Sequence, residues 1–227
     1  MIERMINSMR NNKNKYLQES EYIDYSHPAV LAYSLLVTGR TKKQKAISIY
    51  YLVRDNIRYN PYTIAQGKRS LKASFAASQA EAYCIPKAAL MVALCRYFKI
   101  PARIGFADVE NHISSQKLLD LIGTRYFSMH GYAEIYLHKK WIKATPIFNL
   151  ELCEKFDITP LDFDGEHEAI FQEYTASGQK YMEYIVDHGA FAEVPVEFIY
   201  ENFKKHYPHL ADTFLSQTNQ SEKGADL

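Results

Sequence analysis

Cys84-Ile-Pro-Lys-Ala-Ala-Leu-Met-Val-Ala-Leu-Cys-Arg-Tyr-Phe98 contains the longest apolar run of the chain, Ala88 to Cys95. Pro86 suits the first turn of a helix, where a missing N–H costs nothing. The Ala, Leu and Met content that follows favours a buried helix. Ile100-Pro101 closes it. Cys84 therefore stands at the head of this helix. A helix N-terminus carries roughly half a positive charge and free N–H groups. That setting favours thiolate over thiol and offers donors to an oxyanion, so Cys84 is a candidate nucleophile. The competing reading is a structural cysteine in a core.

A cysteine nucleophile needs a base within hydrogen-bond reach, and histidine is the usual one. His130 lies 46 positions downstream, at the head of His130-Gly-Tyr-Ala-Glu-Ile-Tyr-Leu137. That run alternates as a strand does, with Ala133, Ile135 and Leu137 on one face and His130, Tyr132, Glu134 and Tyr136 on the other. A tight turn through His138-Lys-Lys140 leads to a second strand, Trp141-Ile-Lys-Ala-Thr145, so the pair forms a hairpin. Arg103–Val109 reads as a strand before it, and residues 110–128 as an insertion with a helix around Gln116–Ile122.

Upstream, Ser26-His-Pro28 starts a helix that runs towards a stop at Gly39. Thr41 caps the next, whose apolar face is Ala46, Ile49, Tyr50, Val53 and Ile57. Residues 61–82 read as a loop with a short helix. After residue 150 the pattern gives a loop, then helical spacing near Glu168–Val186 and again near Val196–His206. Residues 1–20 are polar with weak helical pattern, and 216–227 read as a disordered tail. The chain of 227 residues carries no evident linker, so residues 1–215 are expected to form one domain.

The order of these features resembles the transglutaminase-like superfamily. The resemblance is carried by Cys84 and its helix, Lys99-Ile-Pro-Ala-Arg103, His130-x-x-x-Glu134, Trp141-x-x-x-Thr-Pro146 and the upstream Tyr51-Leu-Val-Arg-Asp-Asn-Ile-Arg-Tyr59. It covers about residues 45–148, and the flanking motifs look like a bacterial branch of that superfamily. It implies an α+β, papain-like fold, with N-terminal helices, the cysteine helix packed on an antiparallel sheet, and C-terminal helices. It assigns Cys84 as nucleophile and His130 as general base and acid. The family's third member is an Asp at the position of Thr145. Thr carries no charge to stabilise an imidazolium, although it can accept the imidazole N–H. Hairpin register leaves two candidates. A His138-Lys139 turn puts Thr145 opposite Tyr132 and diagonal to His130, and a Lys139-Lys140 turn puts Asn149 opposite His130. Asp164 in a later loop is a more distant candidate.

The remaining signals are weaker. Cys95 is a core residue by its helix face, and Cys153 has no partner at metal-ligand spacing. Asp162-x-Asp164-Gly-x-His167 reads as a turn with capping acids rather than a metal loop. Tyr83 and Tyr132 are expected near the cleft, Glu134 as an ion-pair partner of Arg103, and Gln79 as a surface residue or oxyanion donor. The balance of 27 basic against 26 acidic residues gives no long-range attraction to nucleic acid or an acidic membrane. Three cysteines suit a reducing compartment, and the first ten residues carry charges where a signal peptide would be apolar, so a cytoplasmic protein is expected. Together these features point to a cysteine acyl-transferase or amide hydrolase acting on a protein or peptide amide through a thioester, without metal or cofactor. An amine acetyltransferase and a deglycosylating amidase share the same core chemistry. The competing class is an inactive binding module that keeps the fold.

Overall fold

Local signals place most of the helices. The structure, a computed structural model, describes residues 14–171, 173–175 and 177–211. The expected tail at 216–227 and much of the polar N-terminal segment lie outside them. α1 (Pro28–Ser34) begins at its proline, with His27 Nδ1 accepting from the Ala29 N–H at 3.2 Å. It stops at Ser34 rather than running on to Gly39, because Leu35 and Leu36 reach solvent and give a longer helix nothing to bury. α2 (Lys42–Asn56) starts in a complete capping box between Thr41 and Gln44. All five residues of its expected apolar face are buried. A parallel pair of two-residue strands, β1 (Arg58–Tyr59) and β2 (Glu81–Ala82), brackets two 3₁₀ turns and α3 (Ala73–Gln79).

α4 (Cys84–Tyr97) is buried from Ile85 through Arg96. Apolar on every side, it has neighbours on every side. Its two internal charges are satisfied by carbonyl oxygens. Lys87 Nζ donates to Arg54 O (3.0 Å) and to Ile57 O at the end of α2, and Arg96 Nε donates to Ala102 O at 3.0 Å. Burial lowers the Lys87 pKa to about 7.

Beneath α4 lies an antiparallel sheet of order β5-β4-β3-β6, made of β3 (Ala102–Asn111), β4 (Tyr126–Leu137), β5 (Lys140–Ala144) and β6 (Met182–Phe191). α5 (Gln116–Ile122) spans the insertion between β3 and β4, where the spacing predicts it. Two glycines permit close approach. A Cβ at Gly131 would sit 3.0 Å from Ile85 Cα, and one at Gly105 would fall 2.2 Å from the Tyr132 ring.

α6 (Leu150–Lys155) is a short helix that periodicity does not mark. Among the described residues the helix expected near Glu168–Val186 does not form. Ala169 bridges Ala144, Tyr174 bridges Lys180, and β6 pairs with β3. Tyr184, Ile185 and Val186 favour a strand once an open sheet edge is beside them. Of the expected C-terminal helices, α7 (Val196–His206) forms as predicted. No helix among the described residues is long and apolar enough to cross a membrane.

Candidate active site

Cys84 is the first residue of α4, and no side chain caps the helix above it. The N–H groups of Cys84, Ile85 and, from the facing strand, Gly131 bear on the sulfur and favour the thiolate. Burial outweighs them and pushes the Cys84 thiol up to about 11. The helix-head reading predicts a lowered value. Desolvation reverses it even though Cys84 is only half-buried, because the lost hydration outweighs what three N–H groups return.

His130 is presented by an irregular stretch of β4. Ala107 pairs with His130 and Val109 with Phe127, so Ser128 and Met129 together oppose Asp108. Met129 sits in the left-handed region with φ 59°. The His130 side is only 5% exposed, its Nε2 is sealed from solvent with no hydrogen-bond partner, and its ring lies 5.3 Å from that of Phe171. Burial lowers the His130 pKa to about 4, so the imidazole is neutral at physiological pH.

Cys84 and His130 line one small cavity with Tyr59, Tyr83, Ile85 and Met129. At about 40 Å³ it has room for roughly three waters. No hydrogen bond joins Cys84 Sγ to the imidazole among the described residues. Tyr59 and Pro61 are shared with a larger open cleft of about 640 Å³, edged by Tyr62, Lys117, Asn149 and Lys155.

The hairpin turn is His138-Lys139, with φ values of 47° and 64°. Leu137 pairs with Lys140 and Ala133 with Ala144, which is the first of the two predicted turns. Thr145 lies just beyond that pairing, its N–H donating to Ala169 O at 2.9 Å. Thr145 is 1% exposed, and no hydrogen bond of normal geometry reaches its Oγ1, although the Tyr184 hydroxyl bears on it. Asn149 stands at the head of α6, where its Oδ1 accepts from the Tyr59 N–H at 3.1 Å. Asp164 is engaged in its own surface turn. It accepts from the Glu166 and His167 N–H groups (2.8 and 2.9 Å), which hold its carboxyl far below the usual range.

Tyr83 lines the cavity as expected. Tyr132 does not: its ring fills the space over Gly105 and its hydroxyl donates to Asp187 at 3.0 Å. Glu134 pairs with Arg103, whose Nε donates to it at 2.7 Å. Gln79 is exposed, Cys95 is in the core, and the Cys153 thiol donates to Phe148 O at 3.8 Å. The sequence reading misses Asp108 and Phe171. An acid inside the apolar strand Arg103–Val109 is the signal that could have marked the former. Glu110, His112 and Glu183 bring ligand-type atoms within 4.8 Å of one another, and Lys180 Nζ, 2.6 Å from Glu183, already supplies a cation there.

An apolar helix headed by a cysteine, laid on an antiparallel sheet whose strand carries a histidine, is the papain-like α+β architecture. Within that class the chain belongs to the transglutaminase-like superfamily, whose family model matches residues 30–146, just over half of the sequence. Among solved structures it is similar to a candidate cysteine protease from Cytophaga hutchinsonii, at 20% identity and a TM-score of 0.44 over 60% of this chain and 42% of that one. It is also similar to a TGase, at 13% identity and a TM-score of 0.38 over 63% of this chain and 37% of that one. The chain thus spans less than half the length of either. No curated protein matches it.

Proposed function

We propose that this protein is a cysteine-dependent acyl-transferase or amide hydrolase with Cys84 as nucleophile and His130 as general base and acid. One observation carries the reading: the two side chains line the same cavity, with the Gly131 and Ile85 N–H groups at the sulfur. The resting pair is neutral, thiol and imidazole, because burial disfavours both charged forms. On attack the Cys84 S–H proton passes to His130 as sulfur bonds to the carbonyl carbon of a peptide or protein amide. The oxyanion draws on the backbone N–H groups at the head of α4. His130 then gives its proton to the departing amine as the C–N bond breaks, leaving a thioester. Water or a second amine, deprotonated by His130, takes the acyl group and frees the thiol. The open cleft beyond Tyr59 is the approach for the amide, since the inner cavity holds only small groups.

Thr145 is the favoured orienting group for His130 in this proposal. Its Oγ1 and the His130 Nε2 are both sealed without a hydrogen bond of normal geometry, and Thr145 directly follows β5, the strand beside that of His130. Asn149 is already engaged by Tyr59.

A second reading, a binding module without catalysis, is favoured by the same burial of thiol and imidazole. Acylation by 4-nitrophenyl acetate separates the two. A burst equal to the enzyme concentration that is lost in Cys84→Ala, and slowed in His130→Ala, supports the enzyme. The same slow acylation in wild type and His130→Ala would rule it out.

A further inference from the structure

We infer that Asp108 is the positioning residue for His130, its buried carboxylate fixing the bulge of β4 from which the imidazole is presented. The inference rests on the reading of His130 as the base. Between the pairs Ala107–His130 and Val109–Phe127, β4 has two residues where β3 has one, and that one is Asp108. An extra residue of this kind re-aims the strand that carries it. It also sets the face on which later side chains emerge, because side-chain direction in a strand alternates at every position. The orientation of His130 therefore depends on the bulge staying in place.

Nothing local to β4 secures it. Met129 holds a left-handed conformation that a non-glycine residue rarely adopts, so the surroundings must impose it. Asp108, 2% exposed, is what imposes it. Its Oδ1 accepts from the Met129 N–H at 2.8 Å and the Ser128 hydroxyl at 2.9 Å, and its Oδ2 accepts from the Tyr126 hydroxyl at 2.6 Å. From β6, His188 Nε2 lies 2.9 Å from Oδ1. One carboxylate thus grips both bulge residues and the strand leading into them. A second brace comes from Tyr207, whose hydroxyl accepts from the Ser128 N–H and donates to Tyr126 O at 2.9 Å. Asp108 does not line the cavity of Cys84 and His130, so it acts on the base through the backbone and not on the substrate.

A neutral amide at this position keeps the shape but cannot accept from all these donors with both of its polar atoms. Asp108→Asn is therefore the sharpest probe, and a double-mutant cycle with His130→Ala tells positioning from general damage. The readout is the single-turnover rate of Cys84 acylation by 4-nitrophenyl acetate on the full chain. Displacing a base by about an ångström costs on the order of 100-fold, so a partial shift predicts a loss of about 10-fold or more in Asp108→Asn. In the His130→Ala background the same change is expected to cost less than about 2-fold, because the group it positions is gone. Loss of equal size in both backgrounds would assign Asp108 a purely structural role and overturn the inference, as would a wild-type rate in Asp108→Asn while His130→Ala is slow. If His130→Ala is itself as fast as wild type, the Cys-His reading fails first and the inference with it. Should Asp108→Asn not fold by circular dichroism, Ser128→Ala and Tyr126→Phe each remove one grip and leave the carboxylate. Their combined loss must then also vanish in the His130→Ala background.

Discussion

The two walls of the crevice are built by different physics. The Cys84 wall is local: a proline-assisted helix start, an apolar helix and the N–H groups that any such helix exposes. The His130 wall is assembled from afar. Its bulge is held by Asp108 on β3 and by Tyr207 beyond α7. Its ring leans on Phe171 from a segment with little regular structure. A nucleophile can be placed by its neighbours in sequence, whereas a base that must face it has to be placed by the whole fold.

Breaking either wall directly should have the largest effect. Cys84→Ala is expected to abolish burst acylation altogether, and His130→Ala to slow it by roughly 100-fold or more, both read by stopped-flow release of nitrophenolate. Next comes the joint between the walls. Gly131→Ala puts a methyl 3.0 Å from Ile85 Cα and 3.3 Å from its N, both backbone atoms that cannot step aside cheaply. A stability loss of about 1–3 kcal/mol and slower acylation are expected in urea melts and burst kinetics. Unchanged stability would show that the walls do not meet so closely.

The third member of the site sharpens the comparison further. Thr145→Ala is expected to slow acylation several-fold with little change in stability, since no well-formed hydrogen bond is lost at Oγ1. Asn149→Ala should do the reverse, costing about 1–3 kcal/mol by stranding the Tyr59 N–H while acylation persists. The opposite pattern would hand the orienting role to Asn149.

The last comparison is in pH dependence, which leaves the walls intact. Burial lowers His130 from about 6.5 to about 4, so between those values the unfolded chain binds a proton that the native state refuses. Stability therefore rises with pH across that window, and His130→Gln should flatten the rise. Lys87, lowered to about 7, has the same sign from pH 7 towards 10.5, and Lys87→Met should remove its share. Cys84, raised to about 11, has the opposite sign: the unfolded chain loses its thiol proton first, so stability falls between about pH 9 and 11. Urea unfolding at stepped pH checks all three.

Much of this was legible beforehand. The capped start of α2, the proline-led α1, the insertion helix α5 and α7 each carry their signal within a few residues. The hairpin is legible too, although sequence leaves its register between two turns and the pairing of Leu137 with Lys140 decides it. The end of α1 is not legible in sequence, because the apolar Leu35 and Leu36 turn to solvent. The segment 168–186 is not legible in sequence because helical spacing and an edge strand compete for the same residues, and only β3 lying open beside them decides in favour of β6.

The sequence by itself determined the candidate pair, Cys84 and His130, the helix and strand that carry them, and the membership of the superfamily. Tertiary structure alone decided that both groups rest uncharged, that the hairpin turns at His138-Lys139, and that Asp108 grips the bulge. Capping and periodicity act over one or two helical turns and are written in adjacent residues. Desolvation and strand register depend on which distant elements come to lie alongside, and no short stretch of chain encodes that.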